Sequence, residues 1–179
     1  NVESDAAFVK PDALATVEWE QAALVVWHAP LPAGDDAKIV QSFVDRGGHV
    51  IFVPPPSPDA AEFSGVRWTA WKQVDEPVGV ETWRGDQDLL SRTQSGAALP
   101  AGELAIRRYC ELKGEVTPLA TLYGGAPLVA RAPTRRGGVY FLATTTAPGD
   151  SSLATNGIVL YAAIQRAISA GSAELAAAR

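Results

Sequence analysis

The side chains that could perform catalysis in this sequence are few, and none stands in a known catalytic pattern. Cys110 is the single cysteine, and a nucleophilic cysteine needs a strained turn, a lowered pKa and a histidine within reach. The residues around it contain no glycine and predict a strand, so we interpret Cys110 as a buried, small apolar residue. Ser151 follows a predicted strand but does not match the G-x-S-x-G elbow of serine hydrolases. A hydrolase or amidase that uses Cys110 or Ser151 is therefore the alternative hypothesis.

The two histidines lie at opposite ends of predicted strands. His28 directly follows the first buried strand, and ligands of open α/β sheets bind beyond the carboxyl ends of the strands. We therefore predict that His28 and the nearby Pro30 border a binding site. His49 begins the next strand, at the opposite edge of the sheet, and we expect it to be structural. Two histidines and one cysteine offer no metal-ligand spacing, so no metal site is predicted.

No motif for a cofactor is present. The sequence lacks a G-x-G-x-x-G fingerprint and a phosphate-binding loop, and its Gly-Gly pairs fall at predicted turns and caps. Asp86-Gln87-Asp88 offers too few oxygen ligands for calcium, and we interpret Asp86 as a helix cap. We predict that the chain binds no cofactor.

Three of the five tryptophans, Trp68, Trp71 and Trp83, fall in one segment that is poor in other large apolar residues. Tryptophan is enriched where proteins bind partners, so these side chains could form an aromatic platform for a sugar or for an apolar anchor. The competing interpretation is that they pack the segment itself. We favour packing and retain a carbohydrate-binding module as a second alternative.

The first half of the sequence predicts a βαβ unit. Residues 22–27 form a continuous apolar run, as expected for a strand of a parallel sheet that is covered on both faces. Asp35 stands where a helix N-cap belongs, and an apolar face at helical spacing follows it. Gly47-Gly48 then predicts a left-handed helix end, and residues 49–53 form a second buried strand. Parallel pairing and a right-handed crossover follow from this order.

The remaining elements complete a single domain over residues 1–179. Residues 54–103 hold no long periodic stretch and are predicted to be irregular, with short strands near 66–72 and a short helix near 87–92. From Leu104 onward, alternating residues and glycine turns predict an antiparallel meander. A helix capped by Asn156 ends near Ala170. The predicted fold is therefore α/β, with a flavodoxin-like, mixed but mainly parallel sheet flanked by helices.

Composition excludes several classes of protein. The net charge is −5 and no stretch concentrates Lys and Arg, so nucleic-acid binding is disfavoured. No apolar run is long enough to span a membrane, and no signal peptide is recognisable at Asn1. Methionine is absent, and we expect the chain to be an internal fragment of a larger protein.

Two blocks of the sequence resemble class I glutamine-amidotransferase-like domains. In the first, Ala23–Trp27 and Ile39–Val53, a strand precedes a helix that ends in F-V-x-x-G-G, and a second strand follows. The other, Gly125–Arg131 with Arg136–Thr145, is similar to the G-x-P-L-L-V … G-R-G-x-V-x-x-L-A-T run of bacterial membrane proteins of the Bat (aerotolerance) type. The helix at Val159–Ile168 takes the place of their closing segment.

The resemblance implies a flavodoxin-like fold, an extracytoplasmic (periplasmic) position and a membrane-anchored parent protein. Catalytic amidotransferases of this fold carry a cysteine in a glycine-flanked elbow after a strand, with His and Glu later in the chain. Here the strand is followed by Pro54-Pro55-Pro56, and no H-x-E pair occurs. The resemblance therefore implies a non-catalytic member, and no functional residue carries over.

The leading prediction is a non-catalytic binding or interaction module of a membrane-anchored bacterial envelope protein. A protein partner or a small ligand would bind near His28 to Pro32. The family's domain opens with a strand and a helix that lie before the equivalent of Asn1. We therefore expect either that this first unit lies outside the chain or that a second copy fills its place in a homodimer.

Overall fold

The structure, a computed structural model, describes residues 4–178, and these form one seven-stranded sheet with two α-helices. The strands are β1 (Leu24–Trp27), β2 (His49–Phe52), β3 (Arg67–Trp83), β4 (Ala105–Lys113), β5 (Thr117–Leu122), β6 (Pro127–Ala132) and β7 (Gly138–Leu142). The α-helices are α1 (Gly34–Asp45) and α2 (Gly157–Ala177). Short 3-10 helices occupy Pro11–Thr16, Asp88–Leu90 and Ala101–Glu103.

The sheet has the strand order β1-β2-β7-β6-β5-β3-β4. The β1–β2 and β2–β7 pairs are parallel, and the other four pairs are antiparallel. The α/β class, the mixed sheet and the antiparallel meander are therefore confirmed. The prediction of a mainly parallel sheet is wrong, because short connections join β5, β6 and β7 as antiparallel neighbours, and β3 pairs antiparallel with both β4 and β5.

The βαβ unit forms as predicted, apart from the start of its helix. α1 begins after Ala33, so the assignment of the N-cap to Asp35 is wrong; Asp35 lies in the first turn, where its negative charge is favoured. Gly47, with φ of 112°, follows the last helical residues and provides the left-handed end. The buried face of α1 consists of Val40, Phe43 and Val44, and it packs against one face of the sheet together with Val50 and Phe52.

α2 covers the opposite face of the sheet. It buries Val159, Ala167 and Gly171, and the first two pack with Ile51 and Leu142 in a second core cluster. The helix continues to Ala177, beyond the end predicted near Ala170. Asn156 does not cap it through its side chain, which donates instead to the carbonyl oxygen of Glu103 at 3.1 Å. α2 is therefore positioned by its packing more than by its cap.

The segment predicted to be irregular, 54–103, contains the longest strand of the sheet. β3 has 17 residues, and only its beginning, near 66–72, was predicted as strand, because charged residues and Pro77 interrupt the alternation of the rest. Its first part pairs with β4, and its last part, Val80–Trp83, pairs with β5. The pairing with β4 continues to Gly79 and contains a register shift between Gln73 and Val78, so the change of partner falls between Gly79 and Val80. β3 therefore connects the meander to a β3–β4 ribbon whose Trp68 packs in the α1-side cluster.

The contact between α2 and β1 has no room for an additional carbon atom. A Cβ on Gly171 would lie 2.1 Å from the carbonyl oxygen of Ala23. We expect Gly171→Ala to lower the free energy of unfolding by about 1–3 kcal/mol, although alanine is intrinsically the better helix former by ~1 kcal/mol. Urea unfolding followed by circular dichroism measures the change.

The matched control is Gly157→Ala, at the start of the same helix, where a Cβ meets nothing within 4 Å. It should be neutral or slightly stabilising. Equal effects of the two substitutions would contradict the close approach of α2 to β1.

Candidate functional site

The carboxyl ends of the parallel strands, where a binding crevice was predicted, are occupied by the chain itself. Pro54 and Pro55, which follow β2 after Val53, are buried. The Trp71 indole Nε1 donates to the carbonyl oxygen of Pro55 at 3.1 Å. The Trp68 Nε1 donates to the carbonyl oxygen of Leu142, the last residue of β7, at 2.8 Å. The β3–β4 ribbon therefore uses two tryptophans to close these strand ends.

His28 and Pro30 lie beside this region but are exposed. The carbonyl oxygen of Pro30 accepts a hydrogen bond of 2.9 Å from the Trp27 indole, which fixes the turn after β1. Among residues 4–178, His28 makes no side-chain hydrogen bond, ion pair or ring contact. The structure does not gather polar groups around it, and its binding role stays a prediction.

The three tryptophans proposed as a platform do not share one exposed surface. Trp68 is 2% exposed. Trp71 is half-buried in the same α1-side cluster, with the Arg108 guanidinium 3.9 Å from its ring centroid. Trp83 is half-buried in the cluster on the α2 side of the sheet. The three tryptophans therefore lie on two faces of the sheet, packing accounts for Trp68, and a binding role for the others stays a prediction.

Neither candidate nucleophile has the surroundings of a nucleophile. Cys110 is fully buried, and burial raises the pKa of its thiol to about 12, whereas nucleophilic cysteines have lowered values. The Ser151 hydroxyl, also buried, donates to the carbonyl oxygen of Thr145 at 2.6 Å and accepts from the Leu153 amide at 3.2 Å. Both side chains stabilise local structure.

A partly buried polar network that the sequence did not reveal lies at the opposite end of the parallel strands. His49 Nε2 is 3.3 Å from a Glu174 carboxylate oxygen. Asp88 accepts hydrogen bonds of 2.9 Å from both the Tyr140 hydroxyl and the Arg131 guanidinium. The His49 and Tyr140 rings, 5.8 Å apart, connect the two halves. Four distant segments contribute to this network, so no local pattern could have identified it.

Burial and neighbouring charges shift the pKa values of two residues in this network, His49 and Tyr140. Burial lowers the pKa of His49 below its ordinary value of 6.5, against the opposing effect of Glu174. Burial and the Asp88 carboxylate raise the pKa of the Tyr140 hydroxyl. Asp88, predicted to belong to a helix cap and not to a cation site, anchors β6 and β7. Within residues 4–178 no group of three or more His, Cys, Asp or Glu residues could hold a metal ion.

An uncovered apolar surface lies along β1 and α2. Val26 is 53% exposed, Tyr161 53% and Ile158 59%. The charged side chains of α2 are Arg166 and Glu174, and both bond to the body of the protein. Arg166 donates to the carbonyl oxygens of Leu89 and Arg92, and Glu174 accepts from the Gly137 amide. The outer side of α2 is therefore uncharged.

The position of one further row of side chains follows from helix geometry. Arg166 points toward the Asp88–Leu90 turn, which lies on the β6–β7 side. Leu160, Ile164 and Ile168 follow the buried positions 159 and 167 and the half-buried position 163 by one residue, about 100° around the helix, and therefore face the β1 side. All three are half-buried. We call Leu24 and Val26 of β1, with Leu160, Tyr161, Ile164 and Ile168 of α2, the β1–α2 surface.

The backbone of β1 is also open along this surface. Within residues 4–178, β1 pairs with β2 and with no other strand. The carbonyl oxygens of Ala23 and Trp27 accept from β2 and from the residue after it. Because alternate residues of a strand direct their N–H and C=O groups to opposite sides, those of Leu24 and Val26 point away from β2. The sheet therefore ends in an unpaired strand beside an apolar helix.

Comparison with known proteins identifies the fold but no family. No protein-family model and no curated protein matches the sequence. A β-galactosidase from Rahnella sp. R3 is similar in structure, with a TM-score of 0.59 and 15% identity over 87% of this chain, which spans 24% of that enzyme. Two Salmonella typhimurium proteins described as cytoplasmic also resemble it. For STM1381 (strain LT2) the TM-score is 0.56, with 13% identity over 89% of this chain and 74% of that one. For STM3548 the TM-score is 0.54, with 10% identity over 89% of this chain and 75% of that protein.

These likenesses correct one expectation. An extracytoplasmic position was predicted from the resemblance to Bat-type domains, but both Salmonella proteins that share most of their length with this chain are described as cytoplasmic. The prediction is therefore wrong. Among the described residues, neither helix combines the length and apolar character needed to cross a membrane.

Cys110 should react slowly with thiol reagents in the folded protein. Its burial and raised pKa leave almost no accessible thiolate at neutral pH. We expect modification by 5,5′-dithiobis(2-nitrobenzoic acid) between about pH 6 and 9 to require unfolding, and to become fast in urea. Fast reaction of the native chain, with an apparent pKa below 8.5 or so, would identify an activated thiolate.

His49 should make the stability of the fold depend on pH. Because its pKa in the folded state is lowered below 6.5, the unfolded chain binds the proton more readily. The free energy of unfolding therefore keeps the full contribution of neutral His49 above the ordinary pKa of 6.5. This contribution is lost as the pH falls from there toward the lowered pKa of the folded state. We expect the free energy of unfolding to decrease between about pH 7 and pH 5.5, by at most about 1.4 kcal/mol per pH unit.

The variant His49→Asn should have a smaller slope over the same interval, measured by urea unfolding at each pH. An unchanged slope would show that His49 is not the group that titrates.

Proposed function

We propose that this chain is a non-catalytic interaction module that binds a partner polypeptide through the β1–α2 surface. The observation that carries the proposal is the open backbone edge of β1 directly beside the uncharged, partly uncovered α2. The two features supply different parts of a binding site. The strand edge offers hydrogen-bonding groups, and the helix offers apolar area.

β1 has four residues, and apart from this short length it lacks the devices that normally prevent edge strands from pairing. Proteins protect such edges with charged side chains, prolines, bulges or a covering element. The strand Leu24-Val25-Val26-Trp27 has no charge and no proline, and its pairing with β2 is regular. An edge of this kind favours the addition of a strand from another chain, in which main-chain hydrogen bonds supply affinity.

α2 supports the same interpretation. A helix that is apolar on most of its circumference is normally buried, yet Ile158 and Tyr161 are more than half exposed. Exposed apolar patches bordered by polar residues are typical of protein-binding surfaces. A partner that covered β1 would also cover the half-buried row Leu160, Ile164 and Ile168.

The resemblance to amidotransferase-like domains agrees with a binding role. The β1-α1-β2 unit and the parallel β7 support a flavodoxin-like arrangement, here with an enlarged antiparallel half. The buried Cys110 and the closed strand ends support a member without catalysis. The resemblance is also the one support for a membrane-anchored parent protein. The similarity to a β-galactosidase covers a quarter of that enzyme and supports only the shared fold.

The edge can be tested with a peptide that copies β1. A fluorescent peptide of residues 22–29, with lysines appended for solubility, is titrated with the chain at concentrations below those at which the chain self-associates. We expect saturable binding, measured by fluorescence anisotropy, because the peptide can donate to and accept from Leu24 and Val26.

Backbone methylation provides the matched control. N-methyl groups at the peptide positions of Leu24 and Val26 remove the donors that face the protein and should abolish binding. N-methyl groups at the peptide positions of Val25 and Trp27, whose N–H groups point away from the protein, should leave most of the binding intact. Absence of binding by the unmodified peptide, or equal loss with both methylation patterns, would contradict strand addition at β1.

A further inference from the structure

We propose that the polypeptide that occupies the β1–α2 surface is a second copy of this chain, paired antiparallel through β1 about a two-fold axis at Val25. This inference rests on the proposed function and names its partner. The resulting dimer would contain one sheet that continues from copy to copy, with the two α2 helices side by side on one of its faces.

The open backbone groups fit a two-fold arrangement. Leu24 and Val26 both direct their N–H and C=O groups outward, and antiparallel strands exchange hydrogen bonds between directly opposite residues. If Leu24 lies opposite the partner's Val26, symmetry places Val26 opposite the partner's Leu24. All four outward-pointing residues of the two strands are then paired, and Val25 faces the partner's Val25 on the axis. An interface of one patch with itself is the usual geometry of a homodimer.

The charges of the chain permit this self-pairing. The net charge is −5, so most faces of two copies would repel one another. From Ala22 to Leu31, however, the sequence contains no Asp, Glu, Lys or Arg. The two charged residues of α2 bond inward. The β1–α2 surface is therefore an uncharged face on an acidic molecule, and it can meet itself without opposing like charges.

The position of α2 gives the correct spacing between helices. α2 contacts both β1 and β2, so its axis lies over that pair of strands. With strands ~4.8 Å apart, this axis is about 5 Å from the two-fold axis, and the two helices are about 10 Å apart, a normal packing distance. The new strand pair and the new helix pair therefore form together without distortion.

The residues near the axis are those that α2 leaves half-covered. Gly171 lies against Ala23, and α2 runs antiparallel to β1. Val25 is two residues further along the strand, which corresponds to about four residues back along the helix, near Ala167. Ile164 and Ile168, on the β1 side, then flank the axis and would pack against the same residues of the partner.

Sedimentation equilibrium tests the association. We expect the unmodified chain to form a dimer that dissociates on dilution. Ile168→Lys should weaken it at least about tenfold, because an ammonium would be buried against an apolar partner. Ser169→Lys, at an exposed position one residue further around α2, is the matched control and should retain the dimer. Circular dichroism verifies that both variants are folded.

A disulfide tests the register. In the proposed pairing the two Val25 residues are directly opposite, with Cα atoms about 4.5 Å apart, within the range of a disulfide. The two Val26 residues are more than about 7 Å apart. Under mild oxidation Val25→Cys should therefore form a covalent dimer, whereas Val26→Cys, although more exposed, should not. Cys110 is buried and does not compete.

The outcomes separate this inference from the proposed function. A chain that remains monomeric at high concentration but binds the β1 peptide would overturn the second-copy inference and retain the interaction module. A monomeric chain that does not bind the peptide would overturn both. A dimer that survives Ile168→Lys, or that crosslinks through Val26→Cys and not Val25→Cys, would place the self-contact on another surface or in another register and would also overturn it.

Discussion

The parallel pairing of β2 with β7 joins strands from opposite ends of the chain, and the two cores form around it. Every residue of both strands is buried. Alternate side chains of the two strands enter the cluster below α1 and the cluster below α2. Glycine makes the approach possible: a Cβ on Gly137 would lie 2.3 Å from the carbonyl oxygen of Gly48, and Gly137 has φ of 64°. Loss of this pairing would separate the βαβ unit from the meander.

The same pairing explains why the usual ligand-binding position of an α/β sheet is filled. Once β7 lies beside β2, the end of β7 is directly below the β3–β4 ribbon. Trp68 bonds to Leu142, and the Cys110 amide bonds to the carbonyl oxygen of Ala143 at 2.7 Å. The ribbon thus takes the place of a crevice, and these buried bonds favour a binding function that uses another part of the molecule.

Charge is distributed unevenly between the His49 network and the β1–α2 surface. The network of His49, Glu174, Tyr140, Asp88 and Arg131 concentrates polar groups at the amino ends of the parallel strands, where they tie α2 to the sheet. Because Glu174 bonds within this network and Arg166 donates to the carbonyl oxygens of Leu89 and Arg92, the outer side of α2 has no charge. The internal polar contacts therefore also create the uncharged β1–α2 surface.

The sequence alone determined the elements that depend on local spacing. The apolar run of β1, the helical periodicity of α1, the Gly47 helix end and the alternation of β4 to β7 are local signals, and each predicted its element. The structural role of His49 and the buried state of Cys110 also followed from their positions in predicted strands, since a strand fixes which residues face the core.

Only the tertiary structure decided which elements meet. It placed β7 beside β2, extended β3 through the segment predicted to be irregular, and separated Trp83 from Trp68 and Trp71 onto opposite faces. It also gathered the His49 network from four segments and left β1 at the edge beside α2. Each of these features depends on contacts between residues far apart in the chain, and no periodicity or local motif encodes such contacts.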